Sequence, residues 1–333
     1  MDNNVSKNTF SHKFFKLRFT KEKTSISIKK LLKQELLQTL DLYQQQTKVQ
    51  LDLKFISTIL ERKIVLFQPT HRKLLSKNQG ERFFSKSQST SIAYSCPITF
   101  VLAPYFLLPA QIIAENLLRL SVFEQNNFVS ESYLELKVEI INSGWINFYL
   151  DRALASWLEK SLALLNNSQT SQDYPPIGSE NYQLEQTTAE LFSIQYVHAR
   201  CCSLLRLAAR ERLIALKDES FSHVGWQLEK PQTISWLDEK QNLWFIQEAE
   251  YSLLRQLLMV SDAFASKSND WLKLAFNLAK TVEVFLAECR FLGLVKRETP
   301  QKAIARLGLM AMAQYWLQRI LLEKLKVAAP TSL

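Results

Sequence analysis

Residues 195–206 read QYVHARCCSLLR, a run with a tyrosine, a histidine, two arginines and two cysteines and with no proline or glycine. These residue types favour a helix. On a helix, Tyr196 and Arg200 are four residues apart and therefore lie side by side. An aromatic ring beside a guanidinium can stack an unpaired base and hold its phosphate. The alternative is a bundle helix whose Arg200 simply reaches solvent.

Outward from this stretch, the hydrophobic periodicity differs between the two halves of the chain. The second half contains helical patterns at 182–217, 234–260, 270–292 and 299–327. The first half mixes helices and strands. Its predicted elements are helices at 25–46, 109–120 and 151–165, a strand at 49–55, and two strands within 133–150 around Ser143-Gly144. We therefore expect a mainly α fold, with a small α+β N-terminal domain followed by an all-α helical bundle.

The composition of the 333 residues predicts where the domains begin and end. Residues 1–24 are basic and polar and lack the apolar core of a signal peptide, which predicts a disordered or loosely docked arm. The α+β domain then covers 25–165. Residues 166–181 contain Pro175-Pro176 and predict a linker, and the helical bundle covers 182–333.

Positive charge is concentrated near the N-terminus. The net charge is +9, yet residues 1–90 hold 18 Lys/Arg against 7 Asp/Glu, a surplus of 11, whereas residues 91–333 hold 23 against 25. This quarter of the chain would attract phosphate or anionic lipid. A solvated basic face without a ligand is the alternative.

The uncharged stretch 87–114 is long enough to be considered as a membrane span. Pro97, Pro104 and Pro109 interrupt it, so a buried strand, loop and helix is the preferred interpretation and no stable membrane span is expected. The four cysteines are too sparse for a disulfide framework. A reducing, cytoplasmic setting is therefore expected.

Several kinds of chemistry have no candidate in the sequence. It contains no Gly-rich phosphate loop, no G-x-S-x-G elbow and no H-E-x-x-H motif. His198 and Cys202 could face each other on a helix, but a metal or nucleophile site would need a third partner that the sequence does not name. We predict no catalytic residues, no metal and no cofactor.

QYVHARCCSLLR resembles the signature helix of the DALR anticodon-binding domain of class I arginyl-tRNA synthetases, where a Q-Y-x-H-[AS]-R run is typical. The resemblance continues through FLAECRFLG at 285–293 and the final helix and tail at 305–333. It therefore covers about 182–333. The N-terminal half is similar to the synthetase's additional N-terminal domain, with Gly144-Trp145-Ile146-Asn147-Phe148 in place of its G-F-[IV]-N motif.

This resemblance implies contacts with tRNA. In the family the helical domain binds the anticodon and the N-terminal domain contacts the tRNA elbow. The RNA-binding residues implied here, together with the Tyr196 and Arg200 pair, are Gln195, His198, Ser193, Arg206, Leu333 and Asn147. Ser193 stands where the family often has an aromatic residue, and Leu333 where it commonly ends in methionine.

A full synthetase carries its catalytic domain between these two modules, whereas here only residues 166–181 connect them. We therefore expect a non-catalytic paralogue that binds tRNA or other structured RNA. Two alternatives remain open. The chain could be a scaffold for a protein partner or a homodimer, or it could be the accessory subunit of a split arginine–tRNA ligase.

Overall fold

A computed structural model describes most of the chain. The described residues are 13–18, 26–69, 91–121, 133–141, 143–167, 189–221, 228–266 and 270–332. They pack as two compact units. The described part of unit 1 is 13–18, 29–69, 91–121, 133–141 and 143–154. The described part of unit 2 is 26–28, 155–167, 189–221, 228–266 and 270–332.

Unit 1 is built on one antiparallel sheet. Its strands are β1 (Lys13–Arg18), β2 (Val65–Phe67), β3 (Ala93–Cys96), β4 (Tyr133–Ile141) and β5 (Trp145–Tyr149). They lie in the order β1-β4-β5-β3-β2. In β4 the residues alternate between buried and partly exposed from Leu134 to Glu139, as expected for a sheet with one covered face. The predicted pair of strands within 133–150 is confirmed.

Helices supply the rest of unit 1, and the first and last of them include residues of unit 2. They are α1 (Ile28–Thr47), α2 (Leu53–Lys63), α3 (Ile98–Phe106), α4 (Ala110–Leu120) and α5 (Ala153–Asn167). The stripe of α1 that contains Leu32, Leu36 and Leu40 is buried, because residues spaced by four share one face. The helices predicted at 25–46, 109–120 and 151–165 are confirmed.

The strand predicted at 49–55 is wrong. Asp52 is the N-cap of α2, and its Oδ1 atom accepts hydrogen bonds from the backbone N–H groups of Lys54 at 3.0 Å and Phe55 at 3.1 Å. An aspartate that satisfies these first amide groups starts a helix. Over so short a stretch, alternation alone did not distinguish a strand from a helix entry.

The predicted arm at 1–24 is wrong for Lys13–Arg18. These residues form β1 at the edge of the sheet, antiparallel to β4, with Leu17 opposite Leu134. Leu17 is buried. A short strand with charged residues at a sheet edge is common, because such residues discourage pairing with other chains.

Unit 2 is mainly helical. Its helices beyond α5 are α6 (Ala189–Arg210), α7 (Glu248–Ala265), α8 (Trp271–Glu288), α9 (Leu294–Glu298) and α10 (Pro300–Arg319), which continues as a π-helical turn at Ile320–Lys324. Two short strands, β6 (Ala215–Leu216) and β7 (Leu228–Lys230), depart from the predicted all-α pattern. α10 packs against α6, α7 and α8. Residues 305–321 are all buried, so α10 is the central helix of the unit.

The helix predicted at 234–260 begins only at residue 248. Before it, residues 234–247 form an irregular segment whose Trp236 and Phe245 side chains are buried. Asp238 closes a turn by accepting hydrogen bonds from the amides of Lys240 and Asn242. Trp236 and Phe245 are therefore core residues although they do not lie in a helix.

Residues 26–28 and α5 belong largely to unit 2. Trp157 Nε1 and Ser261 Oγ both donate to the carbonyl oxygen of Ile26, at 3.0 and 2.9 Å. The division between the units therefore falls after residue 154, inside α5, and not at the predicted linker. Residues 168–181 of that linker lie outside the described residues, so the linker stays a prediction.

The predicted fold class is confirmed, because helices dominate the chain and the described strands form small sheets. The uncharged stretch forms β3, α3 and α4, in agreement with the preferred interpretation. No single helix in the described part is long and apolar enough to cross a membrane. α3 and α4 meet that length and composition only as a pair bent by 102°.

Candidate nucleic-acid interface

The outer face of α6 presents aromatic rings and a guanidinium in one row. Phe192 is 55% exposed and Tyr196 is 40% exposed. Arg200 and Ser203 are also exposed. Steps of four, four and three residues place these side chains along one stripe of the helix. The pair predicted from the spacing of Tyr196 and Arg200 is therefore available to a ligand.

Sequence reasoning missed Phe192 as a member of this row. The resemblance drew attention to position 193, where the half-exposed Ser193 lies. The signal that could have identified Phe192 is the same four-residue spacing that pairs Tyr196 with Arg200. An aromatic residue at this position provides a second flat surface, one helical turn before the tyrosine.

The inner face of α6 belongs to the core. Val197, Cys201, Cys202 and Leu205 are buried. Burial raises the pKa of the Cys202 thiol to about 12 and also raises that of Cys201. Both thiols are therefore protonated near neutral pH and are poor nucleophiles. Among the described residues, no group of three His, Cys, Asp or Glu side chains could hold a metal ion.

Three motif side chains on α6 hold the C-terminal tail, residues 325–332. Gln195 Nε2 donates to the carbonyl oxygen of Ala328, His198 Nδ1 to that of Pro330 and Arg206 Nη1 to that of Thr331, each at 2.8 Å. Such bonds satisfy tail carbonyls that have no helical or strand partner. The tail thus runs beside α6 toward Leu333, which itself lies outside the described residues.

His198 is fully buried, which differs from the predicted direct contact with RNA. Because a carbonyl oxygen can only accept, Nδ1 carries the proton toward Pro330. Nε2 then accepts from Gln314 Nε2 at 3.1 Å. Burial lowers the pKa of His198 to about 4, despite the hydrogen bond to Pro330. The imidazole is therefore neutral near pH 7, and its role is to position the tail.

Gln314 and Arg206 extend this network to the segment that follows β6. Gln314 Nε2 also donates to Gln318 Oε1 at 3.2 Å, and Gln318 Nε2 donates to the carbonyl oxygen of Phe221 at 3.1 Å. Arg206 Nε donates to the carbonyl oxygen of Glu219 at 2.6 Å, with its guanidinium 5.2 Å from the Phe221 ring. Arg206 therefore joins α6, this segment and the tail.

A separate group of polar and aromatic side chains lies on β5 of unit 1. Trp145, Asn147 and Tyr149 point to one face of the sheet because alternate residues of a strand do so. Asn147 is buried, which argues against its predicted exposure to RNA, although its Oδ1 atom has no hydrogen-bond partner among the described residues. Lys137 Nζ lies 5.6 Å from the Tyr149 ring. It also forms an ion pair with Glu139 at 2.7 Å.

Burial and hydrogen bonding keep Tyr149 protonated. Burial is the largest cause of its raised pKa, and a hydrogen bond and charge interaction with Glu139 act in the same direction, whereas a hydrogen bond with Asn147 acts against them. A phenol in this state can donate or accept a hydrogen bond. Sequence reasoning named Asn147 but missed Tyr149 and the half-exposed Trp145 on the same strand.

The glycine before Trp145 is required by the packing of the turn. Gly144 has φ +148°, and a Cβ atom there would lie 2.7 Å from the Cβ of Ala110. The Thr99 hydroxyl donates to the Gly144 carbonyl oxygen at 2.7 Å. The Trp145 ring, whose centroid is 6.1 Å from that of Phe100, is thereby fixed beside α3. The turn positions the start of β5.

The helical unit thus has one helix with an exposed aromatic and basic row, and a tail held against that helix by its own side chains. Residues 194–333 match the protein family described as the DALR anticodon binding domain. This part of the chain is therefore a DALR anticodon-binding domain, a class of domain that indicates tRNA-related binding. No curated protein and no solved structure matched the chain.

Proposed function

We propose that this chain is a non-catalytic, cytosolic paralogue of arginyl-tRNA synthetase that binds tRNA or other structured RNA. Its DALR domain contacts unpaired bases, and its N-terminal unit contacts the folded body of the RNA. The observation that carries this proposal is the exposed row of Phe192, Tyr196 and Arg200 on α6 of a DALR domain.

The chemistry of this row suits single-stranded RNA. Unpaired bases stack on aromatic side chains irrespective of their sequence, and a guanidinium binds phosphate oxygens with parallel hydrogen bonds. Phe192 and Tyr196 lie about 6 Å apart along the helix axis, since each helical turn rises about 5.4 Å. Two neighbouring bases splayed from a loop could each contact one ring, with Arg200 on the backbone.

The first quarter of the chain supports binding through charge, and unit 1 supports it through the face of β5. Residues 1–90 carry the surplus of 11 positive charges, and phosphate contacts supply much of the affinity of proteins for nucleic acids. Trp145 and Tyr149 are aromatic, and Lys137 is a cation beside the Tyr149 ring. Accessible aromatic side chains on a sheet are a recurrent surface for RNA.

The non-catalytic part of the proposal rests on the sequence. Class I synthetases activate their amino acid with an H-I-G-H-type ATP-binding motif and a K-M-S-K-S-like loop, and the sequence contains neither H-I-G-H nor K-M-S-K-S. The short connection between the N-terminal and helical regions supports the same proposal. The four cysteines are free and buried thiols, compatible with a reducing compartment.

The double variant Tyr196→Ala/Arg200→Ala tests the proposed interface. Base stacking contributes about 1–3 kcal/mol per base, so loss of one ring and one guanidinium should weaken tRNA binding by roughly tenfold or more. Affinity is measured by fluorescence anisotropy with labelled tRNA. The matched control is Arg297→Ala, which removes an exposed arginine on α9 and should leave affinity within about threefold.

Binding of equal strength by the double variant and the natural protein would place the RNA site elsewhere. Circular dichroism of the variant checks that the fold is retained, which we expect because both side chains are exposed. Aminoacylation of tRNA by the purified chain with arginine and ATP would contradict the non-catalytic assignment. Charging that appears only when a second, co-purifying chain is added would instead support a split enzyme.

A further inference from the structure

The exposed row on α6 continues to the end of that helix. Beyond Ser203, both Leu207 and Arg210 are exposed, at further steps of four and three residues. With 3.6 residues per turn, the six side chains fall within an arc of about 80° on the helix surface. They form the outer stripe of α6, whose members are Phe192, Tyr196, Arg200, Ser203, Leu207 and Arg210. One continuous surface thus extends over about 27 Å of the helix axis.

The outer stripe is positively charged. Residues 191–210 contain three arginines and no Asp or Glu, and Glu190 falls outside the arc of the stripe. Arg206 lies beside the stripe and donates to two backbone carbonyl oxygens. Among the described residues, by contrast, neither Arg200 nor Arg210 has an ion-pair partner. Both of these guanidinium groups are therefore available to an anion.

The backbone satisfies the last carbonyl groups of α6 without help from Arg210. Arg212 has φ +59°, and its N–H donates to the carbonyl oxygen of Ala209 at 2.9 Å. The N–H of Leu213 donates to the carbonyl oxygen of Ala208 at 3.0 Å. These two bonds and the left-handed residue form a Schellman motif, which caps the C-terminus of a helix by itself. The guanidinium of Arg210 is therefore not needed as a cap.

The acidic residue that follows Arg210 is already paired. Glu211 Oε2 accepts a hydrogen bond from Lys296 Nζ of α9 at 2.7 Å. An ion pair that is this exposed contributes little to stability. It does balance the charge of the carboxylate, however, so that the carboxylate repels a phosphate group at this end of α6 less strongly.

We propose that the outer stripe is a track for one unpaired RNA strand and that Arg210 binds a second phosphate group of this strand. The inference rests on the proposed function, because Phe192, Tyr196 and Arg200 form the first part of the track. Arg210 lies about 15 Å beyond Arg200 along the helix axis. A strand with the duplex spacing of about 3.4 Å per nucleotide would cover this distance with about four nucleotides, and a more extended strand with fewer.

The order of side chains along the stripe suits such a strand. Two rings for base stacking come first, and a guanidinium for the backbone follows. Leu207 then offers an apolar surface to a base between the two arginines, and Arg210 supplies the second cation. A duplex hides the faces of its bases and would leave the rings without a partner. The ligand of this track is therefore a run of several unpaired nucleotides.

The salt dependence of tRNA binding tests the role of Arg210. Each phosphate contact with a single strand adds about 0.7 to the slope of log affinity against log salt concentration. We expect Arg210→Ala to reduce this slope by about 0.7 and to weaken binding roughly threefold to tenfold at low salt. Arg210→Lys keeps the charge and should keep the slope. Affinities are measured by fluorescence anisotropy with labelled tRNA over a series of salt concentrations.

The matched control is Lys280→Ala, which removes one exposed cation from α8. This variant should retain the slope of the natural chain. An unchanged slope in Arg210→Ala, or an equal reduction in Lys280→Ala, would overturn the track. A reduced slope that Arg210→Lys does not restore would also overturn it, because the arginine would then act on the structure of the helix end and not on a phosphate group.

The double variant Tyr196→Ala/Arg200→Ala separates failure of the track from failure of the proposed function. Weaker binding by the double variant, together with an unchanged slope in Arg210→Ala, would remove the track and leave the interface in place. Unchanged binding by both variants, or no binding of tRNA by the natural chain, would overturn both proposals. A dimer in light scattering that Arg210→Ala dissociates, without any effect on tRNA binding, would assign this end of the stripe to a second copy of the chain.

Discussion

His198 illustrates how a side chain in a signature motif can act on the protein itself. Its Nδ1 and Nε2 atoms both have protein partners, Pro330 and Gln314. The ring is fully buried, so any effect on RNA must pass through the tail that it holds. A motif residue that looks like a ligand contact in the sequence is here a positioning residue for the chain terminus.

This burial predicts a specific dependence of stability on pH. The pKa of His198 is about 4 in the folded state, below its ordinary value of 6.5. Above pH 6.5 the ring is neutral in both states and imposes no penalty. As the pH falls from 6.5 to 4, the unfolded chain binds a proton that the folded chain does not. The free energy of unfolding therefore falls, by up to about 3 kcal/mol.

The variant His198→Asn isolates this effect, because asparagine retains an N–H donor near the position of Nδ1 but does not titrate. Urea unfolding is measured at intervals from pH 7 to pH 4 for both proteins. The stability difference between the natural chain and the variant should shrink as the pH falls. Parallel curves over this range would contradict the neutral, buried state of His198.

At the scale of elements, the irregular segment 234–247 reaches α10 through a glycine. A Cβ atom at Gly308 would lie 2.5 Å from Ile234 Cδ1 and 2.7 Å from Trp236 Cη2. Helix propensity alone would favour Gly308→Ala by about 0.5–1 kcal/mol. The rigid indole ring cannot yield easily, so we expect overpacking to prevail and the variant to be destabilised by about 1–3 kcal/mol.

Thermal and urea unfolding of Gly308→Ala measure this balance. Shortening of Ile234 to alanine removes the nearest atom, so the double variant Gly308→Ala/Ile234→Ala should lose less than the sum of its two single changes. Purely additive losses would mean that the segment and α10 do not meet at this point. A stabilised single variant would mean that propensity outweighs packing.

Secondary-structure elements could be predicted from the sequence where a residue pattern repeats over several turns of one helix. The stripe of α1 and the exposed pair on α6 follow from four-residue spacing, and both were predictable. The bonds from α6 to the tail join residues more than 120 positions apart, and no local pattern indicates that residues 328–331 return to that helix. The packing of Trp236 and Phe245 could not be predicted either, because the spacing of apolar residues in this irregular segment resembles that of a helix.

At the scale of the whole molecule, charge and shape make different contributions to RNA binding. The net charge is +9, and the surplus in residues 1–90 attracts any polyphosphate. Such attraction weakens steeply with salt, because binding releases counterions from the nucleic acid. Stacking on Phe192 and Tyr196 depends on unpaired bases in a suitable arrangement and is less sensitive to salt. RNA affinities measured at two salt concentrations can therefore separate the contribution of charge from that of stacking.

We predict that the natural chain binds tRNA more tightly than an unrelated single-stranded RNA of equal length. This preference should persist when the salt concentration rises from about 50 to 200 mM, a range over which binding by charge alone can weaken by about 10³-fold or more. Affinities for both RNAs are measured at each salt concentration. Equal affinities that decline together would reduce the interaction to a generic basic surface. A preference that survives in the natural chain but disappears in Tyr196→Ala/Arg200→Ala would assign the selectivity to α6, because that variant leaves the charge of residues 1–90 intact.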